Sequence, residues 1–95
     1  MEIRIKSLKF DASDKLVAFV EKKVARIEKF FDSAQVAEVT LENAKEGKLA
    51  KIQVHVPGND LVIERAADTF ENAITGCVDA MKEKLTRAKE KSFDL

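Results

Sequence analysis

Basic side chains recur at two places in the chain with a spacing that would let each group bind phosphates. The first group, on one side of a helix at about 100° per residue, comprises Lys15, Lys22, Arg26 and Lys29. The second, five cations against two carboxylates in residues 82–91 and so an excess of three positive charges, comprises Lys82, Lys84, Arg87, Lys89 and Lys91. Cations gathered on helices neutralise nucleic-acid phosphates, so the sequence predicts a phosphate-binding patch. The plainer interpretation is a solvated surface whose cations complement the helix dipoles.

Other chemistry has less support in the sequence. The three glycines, Gly47, Gly58 and Gly76, lie too far apart to form a phosphate-binding loop. His55 is the only histidine, and we expect it to be an ordinary exposed side chain on the outward face of a strand. Cys77 lies in an apolar helical pattern, which predicts a packed thiol rather than a nucleophile. We therefore expect no enzyme, no metal site, no cofactor and no small-molecule substrate.

Composition limits what kind of protein this is. Ninety-five residues suffice for one small core, so we expect a single domain over residues 1–95. Seventeen Lys and Arg balance seventeen Asp and Glu, so an electrostatic site must be local. The sequence has neither an apolar run long enough to span a membrane nor a signal-peptide pattern. We expect a soluble, cytoplasmic protein without a membrane partner.

The first half of the chain predicts a strand, a helix and a second strand. Residues 2–6 alternate polar and apolar side chains, as in a strand with one face on a core. A helix is predicted from Asp14 to Phe31, with Ser13 as its N-cap. Its apolar face, at steps of 4, 4, 3 and 4, comprises Leu16, Val20, Val24, Ile27 and Phe31. Residues 35–42 alternate again and form the second strand.

The second half predicts two hairpins and a final helix. A polar loop at 43–47 precedes a strand at 49–56, and a turn at 57–60 precedes a strand at 61–67. The last helix starts with Asp68 as a carboxylate N-cap and Glu71 three residues later. Its apolar stripe comprises Phe70, Ile74, Cys77, Met81, Leu85 and Ala88. Gly76 inside this helix costs about 1 kcal/mol against alanine, so either a neighbour packs closely there or the helix is locally weak.

The order β-α-β-β-β-α predicts an α+β fold. A right-handed crossover makes the first two strands parallel, and two hairpins complete a mixed four-stranded sheet of order 1-2-3-4. Each strand has one apolar side, so both helices cover the same face, parallel to each other. Their C-terminal ends then lie at the same end of the domain, which would bring the two basic groups together.

Three segments also resemble the short ribosome hibernation-promoting factors, a family that includes the ribosome-associated inhibitor protein Y. They are FDASDKLVAFVEKKVARIEKFFD, AKIQVHVPGNDLVIE and ADTFENAITGCVDAMKEKLTRAKEK, and together they cover most of the chain. The resemblance implies a fold related in shape to double-stranded RNA-binding domains. It also implies a partner, the small ribosomal subunit, in whose decoding channel such proteins block messenger and transfer RNA when growth slows.

The resemblance also implies which residues bind ribosomal RNA. At or near the family's basic positions stand Lys22, Lys23, Arg26, Lys29, Lys82, Arg87 and Lys89, and Lys84 and Lys91 complete the predicted site. Glu83 departs from the family, since a basic residue is common there. By helical phase Asp79, Glu83 and Glu90 form an outer crest, and acidic side chains there would weaken a phosphate contact. We therefore expect the first helix to carry the larger share of binding.

Two further expectations concern partners. The chain ends at Leu95, without the C-terminal domain through which longer family members pair ribosomes, so ribosome dimerisation would need a second protein. The alternative function is a small protein–protein interaction module that pairs through an exposed sheet face or edge strand, with its charges serving solubility.

Overall fold

Seven elements make up the protein. The computed structural model describes residues 1–31 and 33–93, and the side chains of these residues except 30 and 88–93. In chain order the elements are β1 (Glu2–Leu8), α1 (Asp14–Ala25), α2 (Ile27–Phe30), β2 (Val36–Ala44), β3 (Gly47–Val56), β4 (Asn59–Ala67) and α3 (Phe70–Phe93). The predicted β-α-β-β-β-α order is confirmed, with the first helix divided into two pieces.

The four strands form one mixed sheet of order β1-β2-β3-β4, as predicted. β1 and β2 are parallel, and the two hairpins are antiparallel. Ile5 pairs with Val39, Val39 with Ile52, and Ile52 with Ile63, so one apolar row crosses all four strands. This row contributes to the core beneath the helices. The likeness in shape to double-stranded RNA-binding domains stays a prediction.

The first hairpin is longer and tighter than predicted. β2 continues to Ala44 and β3 begins at Gly47, so the prediction of a five-residue loop at 43–47 is wrong. Asn43 and Lys48 are directly paired, and the Lys48 Nζ donates to the Asn43 Oδ1 at 2.7 Å. Gly47 has a φ of +139°, and a Cβ there would lie 2.9 Å from the Ala67 carbonyl oxygen. Glycine therefore allows β3 to pass close to the end of β4.

The predicted helix over 14–31 is interrupted at Arg26. Ser13 caps α1 as predicted, since its Oγ accepts the Leu16 N–H at 3.1 Å. At the interruption, the Arg26 N–H bonds to the Lys23 carbonyl at 3.2 Å, an i to i−3 contact that tightens one turn. Apolar spacing cannot distinguish this turn from a regular α-helix, because the step of three from Val24 to Ile27 suits both.

The N-cap of α3 is one residue later than predicted. The Thr69 Oγ1 accepts the Asn72 N–H at 3.1 Å, which is the geometry of an N-cap hydroxyl. Asp68 instead accepts a bond from the Asn72 side-chain amide at 3.0 Å. The backbone of α3 is therefore capped by the Thr69 hydroxyl rather than by the neighbouring Asp68 carboxylate.

Among the described residues, no helix is long and apolar enough to cross a membrane.

The core lies between the sheet and the helices. Its largest fully buried side chains are Ile27, Leu41, Ile52, Ile74, Met81, Leu85, Val20, Val24, Val39, Val54 and Cys77. Phe70 is buried and stacks on Phe10 at 4.5 Å between ring centroids, while Phe31 and Phe19 are partly buried against the core. The side chain of Phe30 lies outside the described side chains. The predicted core positions of Phe70 and Phe31 are confirmed.

Cys77 is a packed thiol, as predicted. It is fully buried, and its Sγ donates to the Ala50 carbonyl at 3.1 Å. Burial raises the pKa of the Cys77 thiol to about 11, which keeps it protonated at neutral pH. A protonated thiol is a poor nucleophile, so Cys77 serves packing between α3 and β3.

Gly76 has room for a methyl group, so alanine should be tolerated at this position. The nearest atom to a Cβ built at Gly76 is the Arg65 Cγ at 3.8 Å, an ordinary van der Waals distance. We expect Gly76→Ala to raise the free energy of unfolding by about 0.5–1 kcal/mol, since alanine restricts the unfolded chain and favours helix. Urea unfolding measures the change, with Gly58→Ala, at a φ of +79°, as a control that should lose stability. Lower stability of Gly76→Ala would contradict the finding that a Cβ there meets only an ordinary contact.

Candidate nucleic-acid interface

A groove between α3 on one side and α1 with α2 on the other is lined by cations from both sides. It encloses about 250 Å³ and is lined by Lys23, Arg26, Lys29, Thr75, Val78, Asp79 and Lys82. The first three belong to α1, α2 and their junction, and the other four to α3. The structure therefore brings the two predicted basic groups together at Lys82. We call this feature the helix groove.

Core packing sets which side chains face the helix groove. Val20, Val24 and Ile27 are fully buried and fix the rotation of α1 and α2 against the sheet. That rotation leaves Arg26 and Lys29 exposed. Lys23 is partly buried, and its Nζ lies 5.7 Å from the centroid of the Phe19 ring, within the range of a cation–π contact. The aromatic ring thus holds one cation against the helix.

The helix groove has a strong local charge in a neutral chain. Its described lining holds four cations and one carboxylate, a formal charge of 4 − 1 = +3. The whole chain has a formal charge of zero, so the remaining residues sum to −3. Val78, which is almost fully buried, is the one apolar side chain in the described lining. This arrangement suits binding of an extended polyanion along two helices.

The other predicted binding residues whose side chains are described do not line the helix groove. Lys22 is exposed on α1. The Lys84 Nζ reaches the Val62 carbonyl oxygen on β4 at 3.3 Å, and Arg87 pairs with Glu83 at 2.8 Å. Lys89 and Lys91 lie outside the described side chains. The predicted set of nine is thus divided, with Lys23, Arg26, Lys29 and Lys82 in one place.

Of the three acids expected on the crest of α3, Glu90 lies outside the described side chains, and Asp79 and Glu83 occupy different places. Asp79 lines both the helix groove and a shallow depression beside it. Glu83 lines the depression but not the helix groove, and its ion-pair partner Arg87 lines the depression with it. Glu83 therefore does not line the helix groove, in which the cations of α1, α2 and α3 meet. Thr75 in the groove was not predicted, although its spacing of four from Asp79 places both on one helical face.

His55, on the opposite face of the sheet, is not the ordinary exposed histidine that we expected. Its side chain is 31% exposed and lies between two carboxylates. The Nε2 is 2.8 Å from the Glu38 Oε2, and the Nδ1 is 2.8 Å from the Asp60 Oδ1. Both ring nitrogens can donate only when the ring is protonated. The hydrogen bonds to Glu38 first, and to Asp60 second, raise the pKa of His55 above 6.5.

Stability should therefore depend on pH through His55. A raised folded-state pKa contributes stability that is fully present below the unfolded value of 6.5. This contribution is lost as the pH rises through the folded-state pKa of His55. We expect the stability difference between the wild type and His55→Gln to shrink on raising the pH, as measured by urea unfolding at several pH values. A difference that stays constant would contradict the ionic contacts.

Comparisons with known proteins agree with this architecture. Residues 3–92 match the family model described as Sigma 54 modulation protein / S30EA ribosomal protein. A ribosome hibernation promoting factor from Azotobacter vinelandii is 27% identical over 94 residues, which cover 99% of this chain and 88% of the relative.

Two solved structures have similar folds. The Thermus thermophilus protein Y N-terminal domain is 30% identical with a TM-score of 0.83, covering 92% of this chain and 98% of that one. A ribosomal subunit interface protein from Coxiella burnetii has a TM-score of 0.88 at 21% identity, covering 95% and 99%, and supports the fold alone. Because the family model spans nearly the whole chain, the chain belongs to the Sigma 54 modulation protein / S30EA ribosomal protein family, which confirms the resemblance found in its sequence.

Proposed function

We propose that this protein is a ribosome hibernation factor that binds the small ribosomal subunit through the helix groove. It occupies the decoding channel and blocks messenger and transfer RNA. The single observation that carries the proposal is the convergence of Lys23, Arg26, Lys29 and Lys82 on one groove. The name of the Azotobacter relative, a ribosome hibernation promoting factor, supports the same function.

Inhibition by this protein is steric. Cations held on packed helices neutralise RNA phosphates without reading bases, and folded RNA is recognised mainly by shape, phosphates and 2′-hydroxyl groups. A domain seated in the channel then excludes other RNA by occupying its volume. No bond is made or broken.

The charge distribution orients the domain on RNA. The helix groove carries +3 in its described lining, and the rest of the chain sums to −3. The carboxylates of Glu38 and Asp60 lie on the outer face of the sheet, away from the helices. RNA phosphates are therefore attracted to the helix groove, where the local charge is highest among the groups described above.

Sedimentation at several salt concentrations tests the proposal. We expect the purified protein to cosediment with small subunits and to inhibit translation in vitro. Four phosphate contacts give a slope of log affinity against log salt of about −2.8 to −3.6, so affinity falls about 50- to 150-fold between 50 and 200 mM salt. A protein that stays in the supernatant at low salt, or binds independently of salt, would contradict the proposal.

The alternative of pairing through an edge strand has less support on β4. The Lys84 Nζ bonds to the Val62 carbonyl, and an Arg65 guanidinium nitrogen donates to the Glu64 carbonyl at 2.8 Å. Cations along an edge strand disfavour the addition of another strand. This edge is therefore protected by side chains rather than presented to a partner.

A further inference from the structure

We propose that Thr75 and Asp79 accept hydrogen bonds from ribose 2′-hydroxyl groups of RNA lying in the helix groove. The inference rests on the proposed function and deepens it, because it names the residues that make the groove prefer RNA to a backbone without these hydroxyls. Phosphate neutralisation alone cannot make this distinction, since RNA and DNA carry the same phosphates.

Asp79 is the first part of the argument. Its exposed carboxylate lies among four cations in the lining of the helix groove. No hydrogen bond or ion pair joins it to another residue in the part of the chain that the structure describes. A carboxylate accepts hydrogen bonds and cannot donate them, and phosphate oxygens are acceptors too. Asp79 therefore repels phosphate oxygens and can accept a hydrogen bond from a donor on the bound strand.

Thr75 presents a second acceptor to the same groove. Its Oγ1 donates to the Glu71 carbonyl at 2.8 Å, so the hydroxyl proton is already engaged. The oxygen keeps lone pairs that can only accept. Thr75 and Asp79 are four residues apart, which puts them about 6 Å apart along α3 on one helical face. The groove thus has two acceptors in a row between its cations.

This row matches the sugar edge of an RNA strand. Thr75 and Asp79 line the same groove as Arg26, Lys29 and Lys82, so a strand whose phosphates contact these cations would bring its ribose edge close to the two acceptors. The 2′-hydroxyl is the donor that RNA has and DNA lacks, and the shallow minor groove of A-form RNA displays it. Glu83 cannot take this role equally, because Arg87 already pairs with its carboxylate.

Binding to chemically matched hairpins tests the inference. The probes are an RNA hairpin and the same hairpin with 2′-O-methyl groups, which remove the donor and keep the A-form shape. We expect the wild type to prefer the RNA by about 10-fold, the effect of one hydrogen bond to a charged group. Asp79→Ala should remove most of this preference, and Thr75→Val should lower it less, because a bond to a neutral hydroxyl is weaker than one to a carboxylate. Asp79→Asn should keep part of the preference, since the amide oxygen still accepts.

A charge-matched control separates hydroxyl recognition from electrostatics. Glu21→Ala removes the same charge from an exposed site on α1 outside the groove lining. It should strengthen binding of both hairpins and leave their ratio unchanged. An unchanged ratio in Asp79→Ala would overturn the inference while leaving RNA binding intact. A wild type that binds neither hairpin nor small subunits would instead remove the proposed function, and the inference with it.

Discussion

The double substitution Arg26→Gln and Lys82→Gln should weaken binding to small ribosomal subunits by about 100-fold or more. One cation comes from each side of the helix groove, and each charge-assisted hydrogen bond to phosphate is worth about 1.5–3 kcal/mol. Two fewer phosphate contacts should also reduce the salt slope by about 1.4–1.8. Cosedimentation at four salt concentrations measures both quantities. The paired readout matters because misfolding lowers affinity without producing this change of slope.

The matched control removes two cations from the same protein outside the helix groove. Lys84→Gln and Arg87→Gln change the net charge equally, but Lys84 contacts β4 and Arg87 pairs with Glu83. We expect this variant to keep the wild-type slope and nearly all of its affinity. Equal losses in the two double variants would show that binding follows net charge rather than the helix groove.

Ile27→Ala should lower the free energy of unfolding by about 2–5 kcal/mol, the usual cost of emptying a fully buried isoleucine site. Ile27 is fully buried at the start of α2, directly after Arg26. A loss of this size is a large part of the stability of a small domain. Urea unfolding measures the loss, and weaker small-subunit binding should accompany it, because α2 and its junction position Arg26 and Lys29.

An exposed valine provides the control for this prediction. Val62 is 39% exposed on β4, so Val62→Ala should change stability by no more than about 0.5 kcal/mol. If Ile27→Ala costs no more than Val62→Ala, the core contact does not anchor α2. Burial of Ile27 would then not be what positions Arg26 and Lys29 in the helix groove.

Alternation and helical spacing were sufficient to predict the sheet and its covered face. Each strand shows one apolar side, so the pairing of Ile5, Val39, Ile52 and Ile63 across the sheet follows from keeping those sides together. The crossover rule then determined which strands are parallel. Boundaries were less predictable, since the tightened turn at Arg26 has the same apolar spacing as an α-helix.

The candidate site was predicted only in part because its contacts depend on tertiary distances. Helical phase separated Lys82 from Lys84, but it could not show that Lys84 reaches a carbonyl of β4. The contact between His55 and Asp60 depends on hairpin register. We expected Asp60 to belong to the turn, whereas a shorter turn places it in β4 opposite His55.

The buried thiol of Cys77 allows separation of α3 from the sheet to be measured by thiol labelling. Its sulfur lies between α3 and the sheet, 3.1 Å from the Ala50 carbonyl, and its pKa of about 11 suppresses reaction in the closed state. A reagent reaches it after the helix separates from the strands. The labelling rate therefore reports how often the two layers part, and a bound subunit that holds the helices should slow it.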